Sequence, residues 1–485
     1  MKNLLFILLA IPLLTYSQTQ ATLLYNWDDP SIVGSAAYDN AYNEIWGVVA
    51  KDREFAVIGS TKGTHFFDLT DMSNPQELPN AFVVPGVEGA GIIHRDYHDY
   101  QCYLYAVADE GTGSTLQIID YSDLPNSTTV VYDSNTAIRR AHNIFIDTAQ
   151  AVLYAIFVDN ATTSRQNVMV YSLANPMNPV YIATHNSIQG QSIGGAHDIY
   201  VRDGLAYVNC GSNGLVVADF TNPATPQFLG VLDTYVDQGY NHSGWLSDDG
   251  NYYFLADETH NKAVKVIDVS SPSNMQVLTT IDAGPNASTF SIPHNIIVRG
   301  KYCYVSYYYD GLQVYDFTNP NSPIRVASYD TYPGQDKQSY EGAWGVFPYL
   351  PSGNILISDM QTGLYVFQKI DPAITGAYPP LGTAANCPII LLDTEEPTTL
   401  NSFQIIPQPV ADRATLNIEL TQGQDASIQL LDLTGKTVQL FDRQALSVGE
   451  NTVQLEISET VATGMYILQV AGEQFTHSEK IIINK

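Results

Sequence analysis

Short runs in which apolar and polar residues alternate, broken by Gly, Pro, Asn and Asp, fill the chain from Thr22 to Phe367. Alternation with period two over four to eight residues marks β-strands. One run recurs: a short apolar strand followed by Asp, then Ser or Thr, often with Asn-Pro behind it. It appears as Gly63-Thr64-His65-Phe66-Phe67-Asp68, Leu116–Asp120, Val168–Leu173, Gly214–Pro223, Val264–Ser270, Gly311–Pro320 and Gly363–Phe367. An Asp at the end of such a strand accepts backbone N–H bonds and sets the following turn, which is the role expected of Asp68, Asp120, Asp219, Asp268 and Asp316.

The other half of each repeat starts with His or Trp and runs through two strands. The starts are Trp46, His94, His142, His197, His242, His294 and Trp344, at intervals of 45–55 residues. Tight-turn pairs such as Asp203-Gly204, Asp249-Gly250, Arg299-Gly300 and Ser352-Gly353 join the two strands. Four strands in each unit of this length is the arithmetic of a propeller blade. Seven starts predict an all-β, seven-bladed β-propeller over residues 18–370. The seventh unit stops at Phe367 without a fourth strand, and Thr22–Asp28 has the pattern to supply it. The N-terminal strand is therefore expected to complete the last blade and hide its edge.

The two ends differ from this body. Lys2, the apolar run Leu4–Leu14 and the small residues Thr15 and Ser17 read as a signal peptide over residues 1–17, cut before Gln18. No later segment is long and apolar enough for a membrane-spanning helix. Residues 371–400 hold Pro372, Pro379-Pro380, Pro388 and Pro397 and read as a linker. Residues 401–485 return to alternating strands in the pattern of a small β-sandwich, with a hairpin turn at Asp432–Lys436. Export permits disulfides among Cys102, Cys210, Cys303 and Cys387, and buried free thiols fit the spacing equally.

With 21 Lys+Arg against 50 Asp+Glu the net charge is −29, which argues against nucleic acid or anionic lipid as a partner. The repeat resembles the LVIVD repeat, and residues 22–368 resemble the choice-of-anchor B family of exported propellers. That resemblance implies fold and export but no reaction. The C-terminal segment resembles the sorting domain of the type IX secretion system of Bacteroidetes. The residues that carry this likeness are Phe403 with Pro407-Gln408-Pro409, Ile428–Lys436, Gly464–Leu468 and Lys480–Lys485. Gln408 stands where family members usually carry Asn. The resemblance implies secretion machinery as a partner, passage through the outer membrane, and surface display or release.

Mapping the repeat puts Trp46, His94, His142, His197, His242, His294 and Trp344 around the axial mouth. Beside them come the turns with Asp109-Glu110, Asp159, Asp257–His260, Asp310 and Asp359, and the loops with Glu44, Arg139-Arg140, Asp237, Asp336 and Glu341. Three readings of the ring are open: repeat architecture bridging to the next blade's backbone, contact with an organic or protein ligand, and a metal or catalytic centre. Seven strands around one axis stand too far apart for all five imidazoles to reach one ion. No GxSxG, GxxxxGK, GxGxxG or HExxH is present. His197-Asp198 and His98-Asp99 are neighbours in a strand and form no dyad. Tyr307-Tyr308-Tyr309 can stack on sugars or pack between blades. The expected function is a non-enzymatic binding module, for an extracellular protein or glycan, with the axial ring as its site and no assigned cofactor. The rival expectation is an extracellular hydrolase or lyase using rim His and acids. His and carboxylates within hydrogen-bond reach in a funnel would favour it.

Overall fold

The computed structural model describes residues 19–70, 72, 82–285, 287–376, 400–431, 437–441, 443–472 and 476–485. The expected leader, the turn at 432–436, Cys387 and most of the expected linker lie outside them. The chain divides into two compact units, Met1–Ile389 and Ile390–Lys485.

In the first unit the described residues form seven sheets of four antiparallel strands, one of which gains a short fifth. Six of these sheets are meanders, and the seventh takes its outer strand from the N-terminus. The fourth runs Asp198–Arg202, Leu205–Asn209, Leu215–Asp219, Gln227–Leu232, from inside to outside. The inner strands are Tyr42–Ala50, Arg95–Tyr100, Asn143–Asp147, Asp198–Arg202, Asn241–Leu246, Pro293–Arg299 and Ala343–Phe347. Each inner strand packs on the next, and the seventh returns to the first. This is the closed ring of a β-propeller.

Burial follows position in the sheet. Residues of Tyr42–Ala50 are all buried, whereas the outer strands expose Val180, Tyr181 and Ile324. Inner strands are covered by both neighbouring sheets, so each sheet supplies the core of the next. The third repeat is the longest because a hairpin, Ser187–Ile188 with Gln191–Ser192, is inserted before its successor.

The repeat's local signals have visible causes. Asp68, Asp120, Asp219, Asp268 and Asp316 each accept the backbone N–H two residues on, at 2.8–3.0 Å, and so set the turn after the third strand. Gly214, Gly311 and Gly363 open that strand with φ of +82°, +68° and +86°, and a Cβ there would meet an outer-strand carbonyl at 2.1–2.2 Å. For Gly363 that carbonyl belongs to Trp27. Asp203 and Gly204 both have positive φ, as the tight hairpin requires.

The ring closes as its sequence suggests. Leu23–Trp27 pairs antiparallel with Gly363–Phe367, in the register Leu23 to Phe367 and Trp27 to Leu364. Thr19–Gln20 adds a feature the repeat did not announce, a parallel pairing with Ala327 and Ser328 on the outer strand of the sixth sheet. The N-terminal segment thus ties the sixth and seventh sheets together. Cys102 is disulfide-bonded, while Cys210 and Cys303 are buried free thiols.

The second unit has two antiparallel sheets. Leu400–Ile406, Arg413–Leu420 and Gly449–Glu456 form one. Thr437–Leu440, Gln424–Leu431, Gly464–Ala471 and Thr476–Ile483 form the other, with Gln444–Leu446 also pairing to Gln424–Leu431. Ala414, Leu416, Ile418 and Leu420 are buried while the residues between them are not, which is the alternation of a sheet with one covered face.

Candidate functional site

Six of the seven expected residues meet at the axis. Ring centroids run His94–His142 4.9 Å, His142–His197 4.0 Å, His197–His242 4.2 Å, His242–His294 4.2 Å, His294–Trp344 4.7 Å and Trp344–His94 5.2 Å, a closed circle. The first sheet contributes none of these rings.

Trp46 is the exception, and register explains it. The first and sixth inner strands carry the same one-residue bulge, between Tyr42 and Ile45 and between Pro293 and Ile296. Asn43 therefore occupies the place of His294, and Trp46 that of Ile297. Trp46 instead joins a second aromatic layer deeper in the channel, with His98, Phe145, Tyr200, Trp245 and Phe347, at centroid separations of 4.7–5.2 Å between neighbours in the Phe347–Trp46–His98–Phe145–Tyr200–Trp245 series. Its indole N–H donates to Asp99.

Between the two layers lies a small polar chamber, of about 60 Å³, lined by Glu44, Asp96, Asn143, Asp198, Ser243 and Asn295 among others. Asn295 Nδ2 donates to Glu44 at 2.8 Å, and the backbone N–H of Ile144 donates to Asp96 at 2.6 Å. Burial pushes Glu44 and Asp198 up to about 7 and Asp96 well above the usual carboxylate range. This layer and the aromatic one escaped the sequence reading. A partial signal was present: Asn143, Asp198, Ser243 and Asn295 stand one position after the His of their repeats, and Phe145, Tyr200, Trp245 and Phe347 stand three positions after the His or Trp of theirs.

The carboxylates of the rim divide into two sets. Asp109 accepts from His142 Nδ1 at 2.9 Å and is held by Arg165. Although burial opposes it, the His142 bond and the guanidinium hold Asp109 down at about 2. Glu110 pairs with His94 Nδ1 and accepts the N–H groups of Ile93 and His94. Glu258 accepts from Tyr308 at 2.7 Å beside His294, and burial raises it to about 7. The others serve the scaffold. Asp159 takes Arg139 and Arg140, Asp257 takes Lys265 and Tyr235, and Asp237 takes Lys262. Asp359 takes Thr331, Asp310 takes Ser291, and Glu341 takes Lys337 and Tyr332.

His294 Nδ1 bonds to the Trp344 carbonyl, so bridging to the next sheet accounts for that imidazole. It does not account for His242, whose Nδ1 is buried without a hydrogen-bond partner, whereas the His197 imidazole faces the backbone of His242 in the next sheet. Burial first, and neighbouring imidazoles second, hold both well below the usual histidine range, and burial lowers His294 to about 3. Among the described residues three groups place one ligand atom per residue within 4.8 Å of each other: His142, His197 and His242; His94, Asp109 and His142; His242, Glu258 and His294. The axis is thus narrow enough for three imidazoles to share an ion. The neighbouring dipeptides form no dyad: Asp198 accepts from Ile199, and Asp99 from Trp46 and Tyr121. Half-buried Tyr38, Tyr340, His260 and Phe290 pack beside the ring, reaching it through Tyr308.

Two family models match parts of the chain. The LVIVD repeat matches residues 193–234, 243–282 and 293–331, which are the fourth to sixth sheets. The secretion system C-terminal sorting domain matches residues 404–484. No curated protein matches the chain. Among solved structures, the computationally designed Ika8 protein aligns at 11% identity and TM-score 0.42, covering 70% of this chain and 99% of its own. The β-propeller domain of Cps50 (Swd1) from Myceliophteria thermophila aligns at 10% identity and TM-score 0.46, covering 68% and 98%.

Proposed function

We propose that this LVIVD-repeat propeller, sent to the cell surface or the extracellular space by its sorting domain, is a binding module whose ligand sits over the axial mouth. The single observation that carries this reading is the closed circle of His94, His142, His197, His242, His294 and Trp344, with the buried Nδ1 of His242 left unpartnered. A scaffold that needed these side chains only for packing would satisfy that nitrogen or use an apolar residue there. The aromatic surface of Tyr38, Tyr340, His260 and Phe290 beside the circle suits a ligand with flat apolar faces and polar edges, as a glycan has. The test is a glycan array probed with the mature chain. Hits should lose about 10- to 100-fold in affinity with Trp344→Ala or Tyr340→Ala, the loss of an aromatic contact at a binding hot spot. Hits unaffected by both substitutions would remove this site from consideration.

The enzyme reading has one observation in its favour. His142 on Asp109, and His94 on Glu110, are the His–carboxylate pairings that a general base uses. Turnover of a glycan or phosphoester that disappears in Asp109→Asn would establish it.

A further inference from the structure

The geometry points to a transition-metal site inside the ring: His142, His197 and His242, delivered by three successive inner strands, hold one late first-row divalent cation. This inference deepens the axial-mouth reading and rests on it for the choice of face.

Three observations carry it. One ring nitrogen from each of the three residues lies within 4.8 Å of the others, close enough for small rotations to bring all three onto one ion at the usual distance of about 2.1 Å. Second, His242 is only 6% exposed, yet its Nδ1 has no partner, and His197 stands beside it with 4.2 Å between ring centroids. Both residues line the same small cavity at the axis. A buried nitrogen without a partner is costly, and a metal ion satisfies it. Third, His142 is already set as a ligand. Its Nδ1 is engaged by Asp109, which Arg165 holds in turn, so Nε2 is the nitrogen left for an ion. A ligand imidazole whose other nitrogen is oriented by a carboxylate is the usual outer-shell arrangement of metal sites.

The chemistry of the donors selects the metal class. Three imidazoles suit Zn²⁺, Cu²⁺ or Ni²⁺, whereas Ca²⁺ and Mg²⁺ want oxygen ligands. Three protein ligands leave a coordination position for the axial ligand or for water.

The experiment uses the untagged mature chain, stripped with chelator and titrated with Co²⁺ alone, then with Zn²⁺ in competition. The expected result is one Co²⁺ per chain with visible ligand-field bands, displaced by Zn²⁺. His197→Ala and His242→Ala should each lower Co²⁺ affinity by at least 100-fold. Asp109→Asn, which acts by positioning His142, should lower it by about 10- to 100-fold. His477→Ala, in the sorting unit, should leave it unchanged. Because His242→Ala opens a buried site, His242→Gln and the metal-free melting temperature of each variant separate lost ligation from lost folding. Folded wild-type protein without ligand-field bands overturns the proposal. So does Co²⁺ binding that survives His197→Ala but not His94→Ala. A chain that takes up no Co²⁺ yet loses its glycan hits in Trp344→Ala fails this inference and keeps the axial-mouth reading. Ring-bound Co²⁺ with glycan hits indifferent to Trp344 and Tyr340 does the reverse.

Discussion

The indole N–H of Trp46 donates to Asp99 Oδ1 at 2.8 Å, and the Tyr121 hydroxyl donates to the other carboxylate oxygen at 2.8 Å. Trp46 thereby belongs to the packed layer beneath the ring. Trp46→Phe keeps the aromatic packing and removes one donor from a buried carboxylate, which costs about 1–3 kcal/mol. Melting temperature should fall while affinity for any axial ligand stays constant. Affinity falling with stability intact would return Trp46 to the site.

Asp99 also gives stability a pH dependence. Burial pushes its carboxyl up to about 6, against the pull of the Trp46 and Tyr121 bonds. Its pKa is higher folded than unfolded, so the folded state binds more protons between about pH 4 and pH 6, and stability falls as pH rises through that window. The full difference is about 3 kcal/mol, from a shift of roughly two pH units. Asp99→Asn removes this slope and leaves Trp46 an acceptor. Thermal melts of both proteins from pH 4 to pH 8 should converge at the acid end and separate above it, with the variant the more stable. Parallel curves would contradict the assignment.

Closure of the ring is carried by Leu23–Trp27 on Gly363–Phe367 and by Thr19–Gln20 on Ala327 and Ser328. Removing residues 18–28 exposes the edge of the seventh sheet and uncovers Tyr365 and Phe367. The truncated protein should lose cooperativity and melt well below the intact chain, since each sheet supports its neighbours. Identical melting curves would show that the strap is dispensable.

The sorting unit has its own core around Leu416, Ile418, Ile428, Leu430, Leu468 and Ile481. A chain ending at residue 400 should keep the propeller's melting transition and accumulate in the periplasm of its host. Truncated protein recovered from the surface or medium at wild-type levels would refute the role of this unit in export.

Architecture was legible in the sequence because the same physical demand recurs in every repeat. The Asp after the third strand caps a turn each time, and glycines at the start of that strand avoid an outer-strand carbonyl. The ring was legible for the same reason at six positions. It failed at Trp46 because the first repeat carries Asn43 at the ring position, and the nearest aromatic, three residues further on, belongs to the layer beneath. The polar chamber of Glu44, Asp96 and Asp198 stayed hidden because its residues vary in type from repeat to repeat. The pairing of His142 with Asp109 joins residues 33 positions apart, which no local motif encodes.

The central claim, that the ligand sits over the axial mouth, is tested most directly by hydrogen exchange of the mature chain with and without a glycan hit. The account predicts protection at residues 92–97, 108–110, 141–144, 196–199, 240–243, 257–260, 290–295 and 340–345, the segments that carry the ring and its flanking acids and aromatics. Protection confined to outer strands such as Thr129–Ser134 and Val180–His185, with the ring segments unchanged, would contradict it.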